Sequence, residues 1–204
     1  MIEIADNISK AEISQLPPVL FEGRVIVIHS LSDVEKAVNY LKGFPILGFD
    51  TETRPSFSRG RMYDVSLMQV STDDTCFLFR LNYIGMPDSL INLLQNRQLK
   101  VGLSLKDDIH SLHRKYSFEP QGFLDLQAYV KNMGIEAQSL QKIYALLFGQ
   151  KISKSQRLTN WEADVLTDRQ KAYAATDAWA CIRIYKYLEE LKCKDNYRII
   201  ELNK

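Results

Sequence analysis

Cysteine is scarce. Cys76, Cys181 and Cys193 are odd in number and far apart, with no CxxC pair, so the chain offers neither a disulfide framework nor a zinc site. Cys76 and Cys181 lie in apolar runs and read as small core residues. His29, His110 and His113 are the only histidines: the first closes an apolar run, the others fall in an ordinary helical pattern, and none is given a role. No apolar run approaches the roughly 20 residues that a membrane helix requires, which argues against a membrane partner. The N-terminal stretch MIEIADNISKAEISQLPPVL carries acids and lacks a basic segment followed by an apolar one, so it does not read as a signal peptide. A cytoplasmic, intracellular location is expected, or a nuclear one in a eukaryote. Repeats and low-complexity segments are lacking, and Gly60 is too isolated to mark a phosphate loop. Neither sign of charge dominates: 26 Lys and Arg against 25 Asp and Glu leave a net charge of +1. Any surface for a polyanion must therefore be a local patch.

What is present suits one compact domain of 204 residues, 46% of them hydrophobic. Residues 1–22 read as an N-terminal arm, extended at SQLPPVLFEG because of its proline pair, and residues 23–204 as the domain proper. RVIVIHS (24–30) reads as a strand. The next segment, 30–43, reads as a helix capped by Ser32, with Glu35 three residues on, Val34, Ala37, Val38 and Leu41 inward, and Gly43 as its stop. PILGFDTET (45–53) is a strand, followed by the basic loop RPSFSRGRMYD (54–64). VSLMQVST and TCFLFRL form a hairpin about Asp73-Asp74. Then come a helix over 88–98, a strand over 100–105 running into a helix, a short strand opening GFLDLQAYV (122–130), and helical patterns through 138–191. Strands first, then helices, predict an α/β domain built on a mixed sheet with helices on its faces.

Acids fall at three places beside the predicted core. In GFDTET, Asp50 and Glu52 are two apart on a strand and project from the same face. In VGLSLKDDIHSL, Ile109, Leu112 and Tyr116 define the inward direction of a helix. At 100° per residue Asp108 lies about 70° from that direction and Asp107 nearly opposite it. Asp108 is thus the acid that flanks the core, and Asp107 a dipole partner at the helix N-terminus. In LTDRQKAYAATDAWACIRIYKYLEELK, Thr167-x-x-Gln170 is a capping box, with Ala174, Ala178, Cys181, Ile182, Tyr185 and Leu188 on the buried face. Tyr173 and Asp177 stack one turn apart beside that face, among alanines small enough to let the helix approach a sheet. If these segments converge, four carboxylates share one cleft, which is very unfavourable unless a cation joins them. A carboxylate set without His or Cys favours Mg²⁺ or Mn²⁺ over Zn²⁺. Two such ions about 4 Å apart are the apparatus of in-line phosphodiester cleavage, and Tyr173 is placed to orient the attacking water.

FDTE, VGLSLKDDIHSL and YAATDAWA together resemble, in order, the three motifs of the DEDD superfamily of 3′-5′ exonucleases. The spacing Tyr173-x-x-x-Asp177 is similar to its tyrosine branch, the ribonuclease D and Werner syndrome exonuclease domain family. RPSFSRGRMYDVSLMQVS and KSQRLTNWEADVLTDRQKAYAATDAWA carry the likeness further, so that it spans roughly residues 24–192. The resemblance implies an RNase H-like fold with a mainly five-stranded mixed sheet, and two-metal hydrolysis from a 3′ end that releases nucleoside 5′-monophosphates. It implies that Asp50 bridges both metals, that Glu52 and Asp177 hold the nucleophile-side metal, and that Asp108 serves the second, directly or through water. Tyr173 would position the water.

Substrate contacts are expected from Thr51, Arg54, Arg59, Arg61 and Arg157, with Lys151 and Lys154 as further phosphate partners. Phe57 and Trp161 can be read as base-stacking residues, although packing suits Trp161 better. The expected partner is nucleic acid with a free 3′ end, DNA before RNA; a helicase or repair partner is conceivable but unspecified. Three other readings stay open: RNA 3′-end trimming, a catalytically silent nucleic-acid-binding module, and a two-metal phosphohydrolase of small nucleotides.

Overall fold

The structure is a computed structural model and describes residues 1–58, 60, 62–195 and 197–201. Its elements, in chain order, are β1 (Ile2–Ala5), α1 (Lys10–Gln15), β2 (Pro18–Val19), β3 (Arg24–Ile28), α2 (Leu31–Leu41), β4 (Ile46–Thr53), β5 (Val65–Ser71), β6 (Thr75–Phe79) and α3 (Leu81–Ile84). They continue with α4 (Asp88–Gln95), β7 (Leu99–Gly102), α5 (Leu105–His113), β8 (Phe123–Asp125), α6 (Leu126–Asn132), α7 (Leu140–Phe148), β9 (Lys151–Ile152), α8 (Asp168–Lys194) and β10 (Tyr197–Ile200).

The central sheet has six strands in the order β3-β6-β5-β4-β7-β8. β5 runs antiparallel to both of its neighbours, and the other pairings are parallel. The sixth strand is the three-residue β8, which extends the expected five at the β7 edge. Every residue of β5 and β6 is buried, because helices cover both faces of the sheet.

Alternation along β4 sorts its side chains into two layers. Leu47 and Phe49 join the core beneath α2, α4 and α5, where Val34, Ala37, Val38 and Leu41 all lie inward as expected. Gly48, Asp50 and Glu52 face the other way, toward α8. That helix lies across β4 at very short range: a Cβ built on Gly48 would stand 1.9 Å from the Ala178 carbonyl oxygen. The alanines of α8 and the bare Cα of Gly48 are two halves of one contact, and it sets the distance between the strand acids and the helix acid.

Some local details differ from expectation. α2 begins two residues earlier, with Ser30 rather than Ser32 as its N-cap; the Ser30 hydroxyl donates to Asp33 Oδ2 (2.7 Å) instead of receiving a backbone N–H. Residues 1–22 are extended only in part. They include α1, closed by a reciprocal Ser9–Glu12 capping box, and two strands that pair in parallel, β1 with β10 and β2 with β9. Phe21 N then donates to Thr176 Oγ1 (3.0 Å), which fastens this segment to α8. Lys100 of β7 is fully buried and donates from Nζ to the carbonyl oxygens of Leu93, Asn96 and Gln98 at 2.8–3.0 Å, closing the end of α4. Among the described residues no helix is long and apolar enough to cross a membrane.

Gly48→Ala tests the close approach. The clash is backbone against backbone, so the substitution is expected to cost about 3 kcal/mol in urea unfolding. An unchanged midpoint would mean that α8 does not press on β4.

Candidate active site

The C-terminal half of β4 and the first turns of α8 meet over the sheet. Asp50 and Glu52 come from the strand. Tyr173 and Asp177 come from a helix whose start is fixed by the Thr167–Gln170 capping box, Gln170 N donating to Thr167 Oγ1 (3.2 Å) and Thr167 N to Gln170 Oε1 (3.0 Å). Carboxylate oxygens of Asp50, Glu52 and Asp177 all lie within 4.8 Å of one another. Asp108 stands outside this triple. It sits in the first turn of α5, partly buried where Asp107 is exposed, and Thr51 Oγ1 donates to its Oδ1 (2.5 Å). It is nonetheless close: after desolvation, its charge is the largest influence holding Asp50 protonated, ahead of Asp177 and Glu52.

Burial pushes every one of these acids upward, and repulsion from the other acids of the site adds to it at Asp50 and Glu52. Asp50 rises well above the usual carboxylate range. Glu52 is raised to about 9, first by burial and then by Asp177 and Asp108, with Arg157 opposing. Asp177 is raised to about 7 by burial, against a hydrogen bond from Tyr173 and the charge of Lys154. Asp108 is raised to about 6 by burial, against its bond from Thr51. The Tyr173 phenol is also pushed up, by burial and by the Asp177 and Glu52 charges, so it stays a hydrogen-bond donor. Its ring packs on the fully buried Trp161 (centroids 6.0 Å apart), which makes Trp161 a buttress for Tyr173 rather than a platform for a base.

A cleft of about 300 Å³ opens over the acids and is lined by Asp50, Ser104, Tyr173 and Asp177, with Lys154 and Arg157 at one side. Both cations are exposed, on the loop that follows β9. The other expected contacts are placed differently. Arg54 pairs with Glu162 (3.1 Å) and lies over the Tyr63 ring at 4.9 Å. Phe57 is 85% exposed. Lys151 donates from Nζ to Ser14 O (2.5 Å). Arg59 and Arg61 lie outside the described residues. Sequence reasoning passed over Asp125, whose carboxylate receives the N–H groups of Ser104 and Leu105 at the start of α5. An acid directly before a helical pattern is an N-cap signal, and LDLQAY contains one.

The triple fits a divalent cation. Three oxygen donors converge with no nitrogen or sulfur ligand among them, and their charges are incompletely offset by protein cations.

The 3′-5′ exonuclease family model matches residues 25–191. The chain belongs to that family. A mouse bifunctional 3′-5′ exonuclease/ATP-dependent helicase, WRN, is 30% identical over 93% of this chain, which corresponds to 14% of the mouse protein. An Arabidopsis thaliana 3′-5′ exonuclease is 30% identical over 90% of this chain and 70% of its own length. In fold, this exonuclease domain matches Escherichia coli RNase D, an exoribonuclease of structured RNA processing, with a TM-score of 0.73 at 21% identity, over 85% of this chain and 46% of that one.

The raised acids make metal-free stability depend on pH. Each holds its proton more tightly in the folded chain than in the unfolded one, so folding takes up protons and stability falls as pH rises. The fall should begin near the unfolded carboxylate range, about 4, and continue to about 9, where Glu52 ionises. Asp177→Asn removes the part that ends at about 7 and should flatten the curve below that pH. Urea midpoints measured against pH in a chelator test this; a wild-type curve that rises from pH 5 to 9 would show that the acids are not apposed.

Proposed function

We propose that this chain hydrolyses phosphodiester bonds from nucleic-acid 3′ ends and releases nucleoside 5′-monophosphates, using two Mg²⁺ or Mn²⁺ ions, with DNA favoured over RNA. The convergence of Asp50, Glu52 and Asp177, with Asp50 and Asp177 lining an open cleft, carries this reading. Bound divalent cations supply a water of lowered pKa and charge stabilisation at the leaving 3′ oxygen. The residues supply position and a fixed field. Asp50, Glu52 and Asp177 hold the cations, with Asp108 completing the set for the second; Thr51 serves by orienting Asp108. Tyr173, a donor one turn before Asp177, holds the attacking water. Lys154 and Arg157 meet the phosphates of the incoming strand, and Arg54, Arg59 and Arg61 serve as further phosphate contacts.

The preference for DNA rests on the greater sequence likeness to the helicase-linked mouse relative than to RNase D. RNA 3′-end trimming is the alternative, supported by the fold likeness to an exoribonuclease. A silent binding module fits less well, since all four acids are retained.

The deciding experiment is cleavage of labelled 3′-recessed DNA, blunt DNA and single-stranded RNA with Mg²⁺ or Mn²⁺, read for polarity and product size. Mononucleotides shortened from the 3′ end are expected, fastest on DNA. Asp50→Asn and Asp177→Asn should each lower the rate by roughly a thousandfold while leaving the metal-free fold as stable as wild type or more so; cleavage at the wild-type rate by either would refute the site. Tyr173→Phe should lower kcat by roughly a hundredfold with metal affinity unchanged. Full kcat in that variant would mean the water is held by another group.

A further inference from the structure

Asp125 belongs to none of the acidic motifs. It ends β8, in register with Gly102 of β7, and is the N-cap of α6. Its carboxylate accepts three backbone N–H groups: Oδ1 from Gln127 (2.9 Å) and Ser104 (3.1 Å), Oδ2 from Leu105 (2.9 Å). Capping α6 needs only the bond from Gln127. The other two reach back across the sheet edge to the junction between β7 and α5.

That junction is constrained. Ser104 is in the left-handed region (φ 60°, ψ 34°), which a serine adopts only when its surroundings hold it there. Leu105 opens α5, and Asp108 follows one turn after Ser104. The bond from Thr51 then fixes the Asp108 carboxylate from the other side. The first turn of α5 is thus clamped at both ends, by β8 through Asp125 and by β4 through Thr51. The charge of Asp125 acts weakly against ionisation of Asp108, so its contribution to the site is geometric.

We infer that Asp125 is a positioning residue of the acidic cleft: by gripping the N–H groups of Ser104 and Leu105 it sets where the Asp108 carboxylate stands relative to Asp50, Glu52 and Asp177. The inference rests on the reading of Asp108 as the acid that completes the second cation site. Partners that orient metal ligands through hydrogen bonds are typically worth ten- to a hundredfold in affinity or activity.

Two variants separate this role from capping. Asp125→Asn keeps the shape but turns one acceptor into an amide donor that cannot receive Leu105 N–H. Asp125→Ser still caps α6 and is too short to span to α5. Circular dichroism and urea unfolding identify the folded variants, and Asp125→Ser decides if Asp125→Asn does not fold. Mn²⁺ is titrated calorimetrically into the free protein, with Asp108→Asn and Asp50→Asn alongside. Both Asp125 variants should weaken, by about tenfold or more, the binding event that Asp108→Asn weakens, and spare the event that Asp108→Asn spares. At saturating Mn²⁺, kcat on 3′-recessed DNA should fall by a similar factor with KM for DNA little changed. Isotherms that superimpose on wild type overturn the inference, and so does equal weakening of both events, which would mark a general loosening. An unaltered Asp108→Asn isotherm overturns it through its premise. A wild-type protein that binds Mn²⁺ yet cleaves nothing refutes the nuclease reading alone, because the Mn²⁺ comparison still decides the role of Asp125.

Discussion

Repulsion among carboxylates held in a half-buried cleft is the constraint around which this domain is arranged. Two unit charges about 4 Å apart repel by about 4 kcal/mol at an effective dielectric near 20. Alternation puts Asp50 and Glu52 on one face of β4, the Gly48–Ala178 contact brings Asp177 to them, and Asp108 adds its field from α5. Against this the protein offers a phenol and two exposed cations, Lys154 and Arg157. The imbalance leaves two resolutions, a proton or a hard cation. The proposed affinity for divalent ions and the cost of leaving the acids without them would therefore be one property of the cleft.

The packing around the cleft serves to hold that unfavourable arrangement. Gly48 and the alanines of α8 fix its width. Trp161, fully buried, fixes the Tyr173 ring. The N-terminal segment contributes at a distance: Phe21 N is tied to Thr176 on α8, and β2 pairs with β9, from which the chain runs directly into the loop bearing Lys154 and Arg157. Residues that read as an arm thus anchor the cationic wall of the cleft.

Features with a sequence period were legible, and those held by a partner distant in the chain were not. Asp50 and Glu52 could be paired from alternation alone. Asp108 could be chosen over Asp107 from helical phase, and it is Asp107 that is exposed. The capping box set the start of α8 and with it the phase of Tyr173 and Asp177. No such period announces that Thr51, on the opposite side of β4 from Asp50, donates to Asp108, or that Asp125 closes the α5 junction. Lys100, inside a strand, breaks the apolar pattern because it answers the carbonyls at the end of α4. Arg54 looked free in sequence, and Glu162, 108 residues away, is its partner. The helix is capped at Ser30 rather than Ser32, and the Ser30 hydroxyl satisfies the Asp33 carboxylate instead of a backbone group.

An acidic floor that holds cations can deal only with what DNA and RNA have in common. Cations, water and phosphate oxygens are the same in both. Sugars and bases differ, and a protein tells them apart through the 2′-hydroxyl and through base contacts. Those contacts must come from groups above the floor with no structural partner to satisfy first. Phe57 and Leu158, 85% and 66% exposed, face a recess of about 230 Å³ beside Arg54 and Tyr63, on the wall between the loop after β4 and the loop after β9. Under the proposed reading, choice of nucleic acid would therefore lie with these loops, while β4, α5 and α8 keep the chemistry fixed.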